Sequence, residues 1–420
     1  MPTLKSSSVR VCLSLLIAAG VCSLTAPRAF ADVDAPGDWP QWRGPNRDGV
    51  SVETGIARDW PRKGPPVVWR QPLGIAYSAV SVVGSRLYTM MATDTEEFAV
   101  CLDTADASEI WRAKTGARFD NDRGSGPRST PTVHDGKVYV LSASGVLHAL
   151  NAENGDGVWS RDFVAVFGSN TPGWGFSGSP LIEGDLVMVE SGGANGNALA
   201  AFDKDSGEIA WTADGGDAAY SSPVAVTYGG VRQVLFLTPR ALTSVAPADG
   251  AVLWNYDWPD GINIATPLFV PDDLVFVSAS YDKGSAVVRM SDSGDRIDVE
   301  EVWASRVMRN HFNSSVLLDG YLYGFDNANL KCIEAATGKE EWSHRRKLGK
   351  GSLIRVGDLL IALGEEGKLV LAEATPRKYV QLAKTQMLHG RCWTPPTLAH
   401  GRLYLRNQEE IVCLDVSAQQ

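Results

Sequence analysis

A short motif that ends in tryptophan recurs along the chain and constrains the fold more than any other feature. Each copy begins with an apolar residue and passes through a Gly- or Asp-containing turn. In the complete copies Trp stands eight residues after an anchor position. Five are complete: LDTADASEIW, LNAENGDGVW, FDKDSGEIAW, VAPADGAVLW and IEAATGKEEW. A looser copy runs from Met290 to Trp303, and copies at Leu371 and Cys413 lack the Trp.

The spacing of these copies predicts the architecture. The anchors stand 39 to 52 residues apart, at Asp103, Asn151, Asp203, Ala246, Met290, Glu334, Glu373 and Asp415. Upstream of each anchor the order is an apolar strand, a Gly- or Asp-centred turn, and another strand. Four short strands per repeat, eight times over, predict an all-β chain folded as an eight-bladed β-propeller. A two-sheet sandwich or an open solenoid is the alternative.

The two ends of the repeat array are incomplete in complementary ways. The last copy has no room for its Trp, whereas Trp69 has no anchor before it. We therefore expect the strand around Val67 to Arg70 to complete the blade begun by Gly401 to Val416. Such closure removes the exposed sheet edges that invite aggregation. The other motif tryptophans are then expected to pack between neighbouring blades.

The N-terminus has the pattern of a secretory signal peptide. Lys5 and Arg10 precede the apolar run Val11 to Leu24, and Ala29-Phe30-Ala31 is a small-x-small cleavage site. The run is too short to span a bilayer comfortably, and no later segment is apolar enough for a membrane helix. We expect residues 1–31 to be removed, which leaves an exported, periplasmic or extracellular protein.

A lipoprotein signal is the alternative for the same residues. Cys22 would then be the lipidated residue, but Val21 stands where a small residue is normally required. The cleaved signal peptide is the favoured interpretation.

Charge excludes two classes of partner. Without the leader the chain has 36 basic and 49 acidic residues, a formal charge of −13. A nucleic-acid partner would need a basic face, and an anionic membrane surface would repel this chain. We therefore expect no nucleic-acid partner. We also expect a monomer that has no transmembrane segment.

The cysteines favour a structural role. Cys101, Cys332 and Cys413 share one repeat position, and equivalent positions on different blades are too far apart for a disulfide. They are expected to behave as small core residues. Cys392 is the exception, and its sequence neighbours suggest that it approaches the central funnel.

The turn motif resembles that of the PQQ-like propellers, named after pyrroloquinoline quinone. The chain looks most like secreted, planctomycete-type members that open with WPQWRGPNRDGVS, and further matching stretches are GPRSTPTV, GWGFSGSPL, DGYLYGFD, GKGSLI and CWTPP. In architecture it is similar to the propeller lipoprotein of the outer-membrane β-barrel assembly machinery. The resemblance implies a fold more than an activity, because one fold hosts many functions.

Quinone-dependent oxidation of alcohols or sugars is the enzymatic alternative implied by this resemblance. Such dehydrogenases hold the quinone beneath a disulfide of adjacent cysteines, bind calcium through carboxylate and amide oxygens, and use an aspartate as general base. This sequence has no Cys-Cys pair and no long roofing insertions, and the stretch DNDRG breaks calcium-loop spacing. We expect no catalytic residue, no metal ligand and no cofactor. The alternative would require pyrroloquinoline quinone with calcium.

The candidate binding residues are identified by their position in the repeat. In a propeller the innermost strand of each blade starts at one face, and ligands approach the axis there. The residues just before these strands are Tyr77, Arg128, Trp174, Phe176, Tyr220, Asn263, His311, Asn313, Lys350, Arg391 and Trp393. Aromatic and cationic groups at this mouth suit an anionic or carbohydrate-like ligand, or a peptide loop of a partner. Alternatively, they satisfy backbone groups and plug the channel.

The stretch DWPQWRGPNRDG, Asp38 to Gly49, precedes the closing strand. It is expected to cross a face or the rim of the propeller, because free tryptophans are unfavourable in a secreted soluble chain. We interpret residues 32–64 as a clasp before the propeller of residues 65–420. The clasp residues are Trp39, Trp42, Arg43 and Arg47, with the arginines paired to carboxylates. A contribution to the mouth or a processing remnant are the alternatives.

The function favoured by these observations is that of an exported, non-catalytic scaffold that binds an envelope protein or a small anionic or polar ligand.

Overall fold

We analysed a computed structural model of the chain. It describes residues 1–2, 36–294, 296–345 and 347–418. Beyond Met1 and Pro2, the predicted signal peptide lies outside the described residues. No helix among the described residues is long and apolar enough to cross a membrane.

The chain forms eight sheets, each the blade of a β-propeller, as the repeat spacing predicts. Two strands precede the first blade: β1 (Val50–Ser51) and β2 (Val67–Pro72). Blade 1 contains β3 (Ser81–Val83), β4 (Arg86–Ala92), β5 (Glu96–Asp103) and β6 (Glu109–Ala117). Blade 2 contains β7 (Thr132–His134), β8 (Lys137–Leu141), β9 (Val146–Asn151) and β10 (Gly157–Asp162), followed by the helix α1 (Phe163–Phe167). Blade 3 contains β11 (Leu181–Glu183), β12 (Leu186–Gly193), β13 (Asn197–Asp203) and β14 (Ile209–Ala213).

The remaining blades repeat this order. Blade 4 contains β15 (Val224–Tyr228), β16 (Val231–Leu237), β17 (Ala241–Val245) and β18 (Val252–Asp257). Blade 5 contains β19 (Leu268–Val270), β20 (Leu274–Ala279), β21 (Gly284–Asp292) and β22 (Ile297–Ser305). Blade 6 contains β23 (Val316–Leu318), β24 (Tyr321–Asp326), β25 (Asn329–Glu334) and β26 (Glu340–His344). Blade 7 contains β27 (Ser352–Val356), β28 (Leu359–Leu363), β29 (Lys368–Glu373) and β30 (Gln381–Gln386), and blade 8 contains β31 (Thr397–Ala399), β32 (Arg402–Arg406) and β33 (Glu410–Asp415).

The motif tryptophans join neighbouring blades. Each lies on the outermost strand of its blade, and all but the partly buried Trp303 are at most 9% exposed. The indole N–H of Trp111 donates to the carbonyl of Ala152 in the next blade at 3.1 Å. Trp159, Trp211, Trp303 and Trp342 donate in the same way to the turn of the following blade. These motifs therefore add apolar burial and one directed hydrogen bond to a blade interface, whereas Trp254 donates to Gln233 within its own blade.

The glycine of the motif turn is explained by this contact. Gly155 has φ of +78°, and a Cβ at this position would lie 2.7 Å from the ring of Trp111. Gly207 has φ of +67°, and a Cβ there would lie 2.5 Å from Trp159. Only glycine combines this left-handed backbone with the close approach of an indole ring.

Ring closure occurs as predicted. β2 pairs antiparallel with β33, so that Trp69 lies opposite Cys413 and Arg70 opposite Val412. The indole of Trp69 donates to the Thr104 carbonyl of blade 1 at 2.8 Å. The seam between blades 8 and 1 is therefore joined in the same way as the other Trp seams.

The stretch Asp38 to Gly49, which we call the channel loop, takes a path different from the expected one. It does not cross a face or the rim but lies along the innermost strands of the blades. Trp39 forms a backbone bridge with Val82 of blade 1, and the Pro40 carbonyl accepts from Val133 of blade 2. Directly after the loop, β1 pairs in parallel with β27 of blade 7. The central channel thus contains a part of the chain itself.

Candidate binding site

A cavity of about 350 Å³ lies at the mouth of the channel, where the connections between blades lead into the innermost strands. Its lining contains aromatic, cationic, hydroxyl and apolar side chains. These are Trp42, Tyr77, Arg123, Arg128, Trp174, Ser177, Ser179, Tyr220, Ser222, Ile264, Tyr281, His311, Phe312, Lys350, Arg391, Trp393 and Pro395. Aspartate, glutamate and cysteine are missing from this described lining.

Most of the residues predicted for the mouth meet at this cavity. Those that line it are Tyr77, Arg128, Trp174, Tyr220, His311, Lys350, Arg391 and Trp393. Whether the cavity binds a ligand stays a prediction.

Three predicted residues are packed behind the cavity instead. Phe176 is 1% exposed and contacts Phe163 edge-on at 5.6 Å. Asn263 is buried, where it accepts from the indole of Trp258. Asn313 is buried and donates to the Gly351 carbonyl. Asn263 and Asn313 thus donate to backbone carbonyls, and Phe176 belongs to the hydrophobic core.

Several lining residues were not predicted, and two of them, Tyr281 and Arg123, lie outside the segments directly before the innermost strands. Tyr281 lies in the turn between β20 and β21, which reaches the same face of the propeller. Arg123 lies far upstream of β7, in the long connection that begins after Ala117. The length of that connection is the one sequence signal that could have indicated Arg123.

The rings of the lining form an aromatic belt, defined as Tyr220, Trp174, Tyr281, His311, Phe312, Trp393 and Tyr77. Successive ring centroids in this order lie 5.2, 6.1, 5.0, 5.5, 5.1 and 5.4 Å apart. The guanidinium of Arg128 lies 5.6 Å from the ring centroid of Tyr77 at one end of the belt. Such contacts hold the rings in defined orientations around the mouth.

The cations of the mouth differ in how fully they are engaged. Arg128 donates to the carbonyls of Gly124 and Gly126, and burial lowers its pKa. Arg391 donates through Nη1 to the Tyr77 hydroxyl at 3.0 Å and to the Arg123 carbonyl at 2.5 Å. Its guanidinium also lies 4.5 Å from the ring centroid of Trp393. Arg391 is exposed, so its remaining edge faces the solvent side of the mouth.

His311 and Lys350 form a polar pair inside the belt. The Lys350 ammonium donates to Nε2 of His311 at 3.0 Å. Burial and the Lys350 charge together lower the pKa of His311 to about 4. The imidazole is therefore neutral near neutral pH, and the nitrogen that a general base would use is already a hydrogen-bond acceptor. This arrangement suits binding better than proton abstraction.

A glutamate behind the wall positions two mouth residues. Glu365 accepts from the indole of Trp393 at 3.0 Å and from the backbone N–H of Lys350 at 3.1 Å. Both oxygens of its carboxylate thus accept hydrogen bonds, and Glu365 itself does not line the cavity. Cys392 is also behind the wall, since it is fully buried in the hydrophobic core between blades 7 and 8. The expectation that Cys392 approaches the funnel is wrong, and burial raises the pKa of its thiol to about 12.

The channel loop forms the floor of the cavity. Trp42 lines the cavity and donates through its indole to Thr266 Oγ1 at 2.9 Å. Arg47 donates to the carbonyls of Ser179 and Pro223 at 3.1 and 3.0 Å and also to that of Pro180. Trp42 therefore lines the site, and Arg47 links blades 3 and 4 through its hydrogen bonds.

The loop arginines bind carbonyls and not the carboxylates we expected. Arg43 donates to the carbonyls of Ser314 and Ser315 at 3.2 and 2.6 Å. Burial lowers the pKa of Arg43 to about 10 and that of Arg47 to about 9. Carbonyls are the available partners because the innermost strands are sheet edges, whose unpaired backbone groups face the axis.

Within the described residues, no group of three or more His, Cys, Asp or Glu is placed to hold a metal ion.

Fold and site together define a closed eight-bladed propeller with an aromatic and cationic cavity at one end of its axis. A family model described as outer membrane protein assembly factor BamB matches residues 62–165 and 100–344. The chain therefore belongs to this family of PQQ-like propellers. The residues matched cover more than half of the sequence.

Curated relatives agree with the family match. BamB of Moranella endobia is 25% identical over 283 residues, which cover 63% of this chain and 69% of the relative. BamB of Yersinia pestis is 24% identical over 291 residues, which cover 65% of this chain and 70% of the relative.

Solved structures are similar in fold. BamB from Moraxella catarrhalis has a TM-score of 0.58 at 16% identity, with 84% of this chain and 99% of that chain covered. A quinohemoprotein alcohol dehydrogenase from Comamonas testosteroni has a TM-score of 0.63 at 13% identity, with 92% and 82% covered. At these identities the likeness shows the fold alone.

Proposed function

We propose that this protein is an exported, non-catalytic propeller that binds an envelope protein through the mouth cavity. Its relatives are named as assembly factors of outer membrane proteins, and this name supports a role in assembling or holding a partner. The proposal includes export by the signal peptide of residues 1–31 and a clasp role for residues 32–64 beside the propeller of residues 65–420.

The observation that carries the proposal is the composition of the mouth. Four cations and seven aromatic side chains, Trp42 among them, line a cavity that contains no carboxylate and no thiol in the described lining. Trp, Tyr and Arg are the residue types that dominate binding energy at protein interfaces. The aromatic belt supplies rigid contact area at low entropic cost.

Site-specific photo-cross-linking in cells tests this proposal. We would replace Tyr281, which is 44% exposed at the mouth, with p-benzoylphenylalanine, an aromatic residue of related shape. The control places the same residue at Glu208, in an exposed turn on the opposite face. Adducts with an envelope protein at Tyr281 and not at Glu208 are expected. Adducts at Glu208 alone, or at neither position, would contradict binding at the mouth.

Quinone-dependent oxidation stays the second candidate, because the mouth could accept a planar anion and dehydrogenases share the fold. The residues fit only part of that cofactor's requirements. Aromatic faces and cations suit a quinone that carries carboxylates, but the described lining offers no carboxylate to bind calcium or act as base. We therefore derive no reaction step for it.

A titration with pyrroloquinoline quinone and calcium separates the two candidates. Bound-quinone absorbance at one equivalent, together with alcohol- or sugar-dependent dye reduction, would establish a dehydrogenase and overturn our proposal. We expect no dye reduction.

A further inference from the structure

The mouth is a basic site on an acidic protein. The whole chain has a formal charge of −10, yet Arg123, Arg128, Lys350 and Arg391 all line one small cavity. A concave site of one charge with low-dielectric walls concentrates its field, so that an anion is drawn there and repelled elsewhere. The charge distribution therefore selects an anionic group for this cavity.

Two of these cations keep donors available. Both hydrogen bonds of Arg391 leave from Nη1, so Nε and Nη2 have no partner among the described residues. These two nitrogens form one edge of the guanidinium, which matches the two oxygens of a carboxylate. The Lys350 ammonium has three N–H donors and gives one to His311. Together they offer a bidentate and a monodentate position for carboxylates.

The cavity ends at the channel loop. The loop and the residues that follow it contact the inner part of every blade, from Val82 in blade 1 to Gly401 in blade 8. With Trp42 as its floor, a cavity of about 350 Å³ is at the small end of the usual range for ligand sites. An extended strand cannot thread through such a dead end, whereas the tip of a loop fits.

We propose that the mouth receives an acidic loop tip of the partner, with carboxylates on Arg391 and Lys350 and an adjacent aromatic or prolyl residue on the aromatic belt. This inference rests on the proposed function, because it assumes a protein partner. The shape and charge of the cavity specify the chemistry of the segment that enters.

Two peptide pools test the inference. One contains short, N-acetylated and C-amidated peptides in which Asp or Glu alternates with Phe, Tyr, Leu or Pro. In the other pool, Asn and Gln replace Asp and Glu. On the immobilised wild-type protein we expect about tenfold greater retention of the acidic pool, because each charge-assisted hydrogen bond is strong. We also expect this preference to fall as NaCl is raised to about 0.5 M.

Charge-matched variants locate the site. The double variant Lys350→Gln with Arg391→Gln is expected to lose the preference for the acidic pool. The control Lys339→Gln with Arg296→Gln removes the same charges from exposed positions at turns of the opposite face, and is expected to retain the preference. Equal retention of the two pools on the wild type, or equal loss in both double variants, would overturn the inference.

A third probe separates a peptide from a saccharide. Trigalacturonate carries carboxylates on sugar rings, which also stack on aromatic faces. Retention of trigalacturonate without retention of acidic peptides would overturn the peptide assignment. If cross-links form at Tyr281 while neither pool is preferred, the acidic loop is wrong and the proposed function stands. If acidic peptides bind but no cross-links form, the envelope partner is wrong and the site chemistry stands.

Discussion

The channel contains two sets of basic side chains that differ in what their N–H groups do. In the channel loop, Arg43 and Arg47 are buried and donate to backbone carbonyls of several blades. At the mouth, Arg391 and Lys350 contact rings and leave donors available. Basic side chains thus stabilise the ring in the channel loop, whereas at the mouth they leave N–H donors available for a ligand. Burial and hydrogen-bond saturation, and not residue type, distinguish the two roles.

Loss of the loop should give the largest effect. Replacing Asp38 to Gly49 with a Gly/Ser segment of equal length removes contacts to most of the blades. We expect the free energy of unfolding to fall by about 5 kcal/mol or more, comparable to the stability of many domains. Thermal melts measure this effect. As a control, Arg58→Ala removes exposed ion pairs with Asp358 and Glu373 and should leave the melt nearly unchanged. An unchanged melt for the replacement would refute the clasp.

A matched pair of substitutions compares the two sets directly. Arg47→Met leaves the buried carbonyls of Ser179 and Pro223 without a donor, while that of Pro180 keeps Thr132, so we expect a loss of about 3 kcal/mol in urea unfolding. Arg391→Met should cost about 0.5 kcal/mol or less in stability, but should weaken binding of the acidic pool. Similar stability losses in both variants would remove the distinction between the two sets.

The pH dependence of stability should come from the mouth and not from the arginines of the channel loop. The pKa of His311 is about 4 in the folded protein, below its ordinary value of 6.5. Between these values the unfolded chain binds a proton that the folded chain does not, so His311 contributes stability above pH 6.5 that is lost as pH falls toward 4. We expect His311→Asn to lessen the acid destabilisation by about 1–2 kcal/mol.

Urea titrations at several pH values measure this difference. Arg47→Met is the control, because the pKa of Arg47 is about 9 and its charge is constant in this range. A parallel pH profile of the His311→Asn variant and the wild type would contradict the prediction.

The smallest effect is expected for Trp42→Phe. This change keeps an aromatic floor but removes the indole hydrogen bond to Thr266. We expect a loss of about 1 kcal/mol in stability and unchanged retention of the acidic pool. A larger loss of binding than of stability would show that Trp42 contacts the ligand directly.

The repeat spacing was sufficient to predict the fold, because eight copies of one supersecondary unit leave few ways to bury their apolar faces. The complementary defects at Trp69 and Cys413 were sufficient to predict the closing blade. Most of the residues chosen before the innermost strands do line the cavity, since propeller topology brings those positions to one mouth.

The path of the channel loop could not be predicted from its own residues. Tryptophans and arginines next to turns indicate burial, but they do not specify the surface that buries them. The blade carbonyls that accept from Arg43 and Arg47 belong to residues more than a hundred positions away, and they converge only after the ring has formed. Tyr281 was missed for a related reason, because its turn belongs to a different part of the blade from the other mouth residues.

The position of the channel loop has a consequence for the order of folding. The loop precedes all eight blades in the sequence, yet its partners extend to His400 in the last blade. Contacts of such long sequence separation form late, because the intervening chain must first be ordered. The contact between Asp38 and His400 therefore forms only when blade 8 is available, whereas Trp39 and Trp42 have partners in blades 1 and 5. The pairing of Asp38 with His400 marks the point at which the ring is complete.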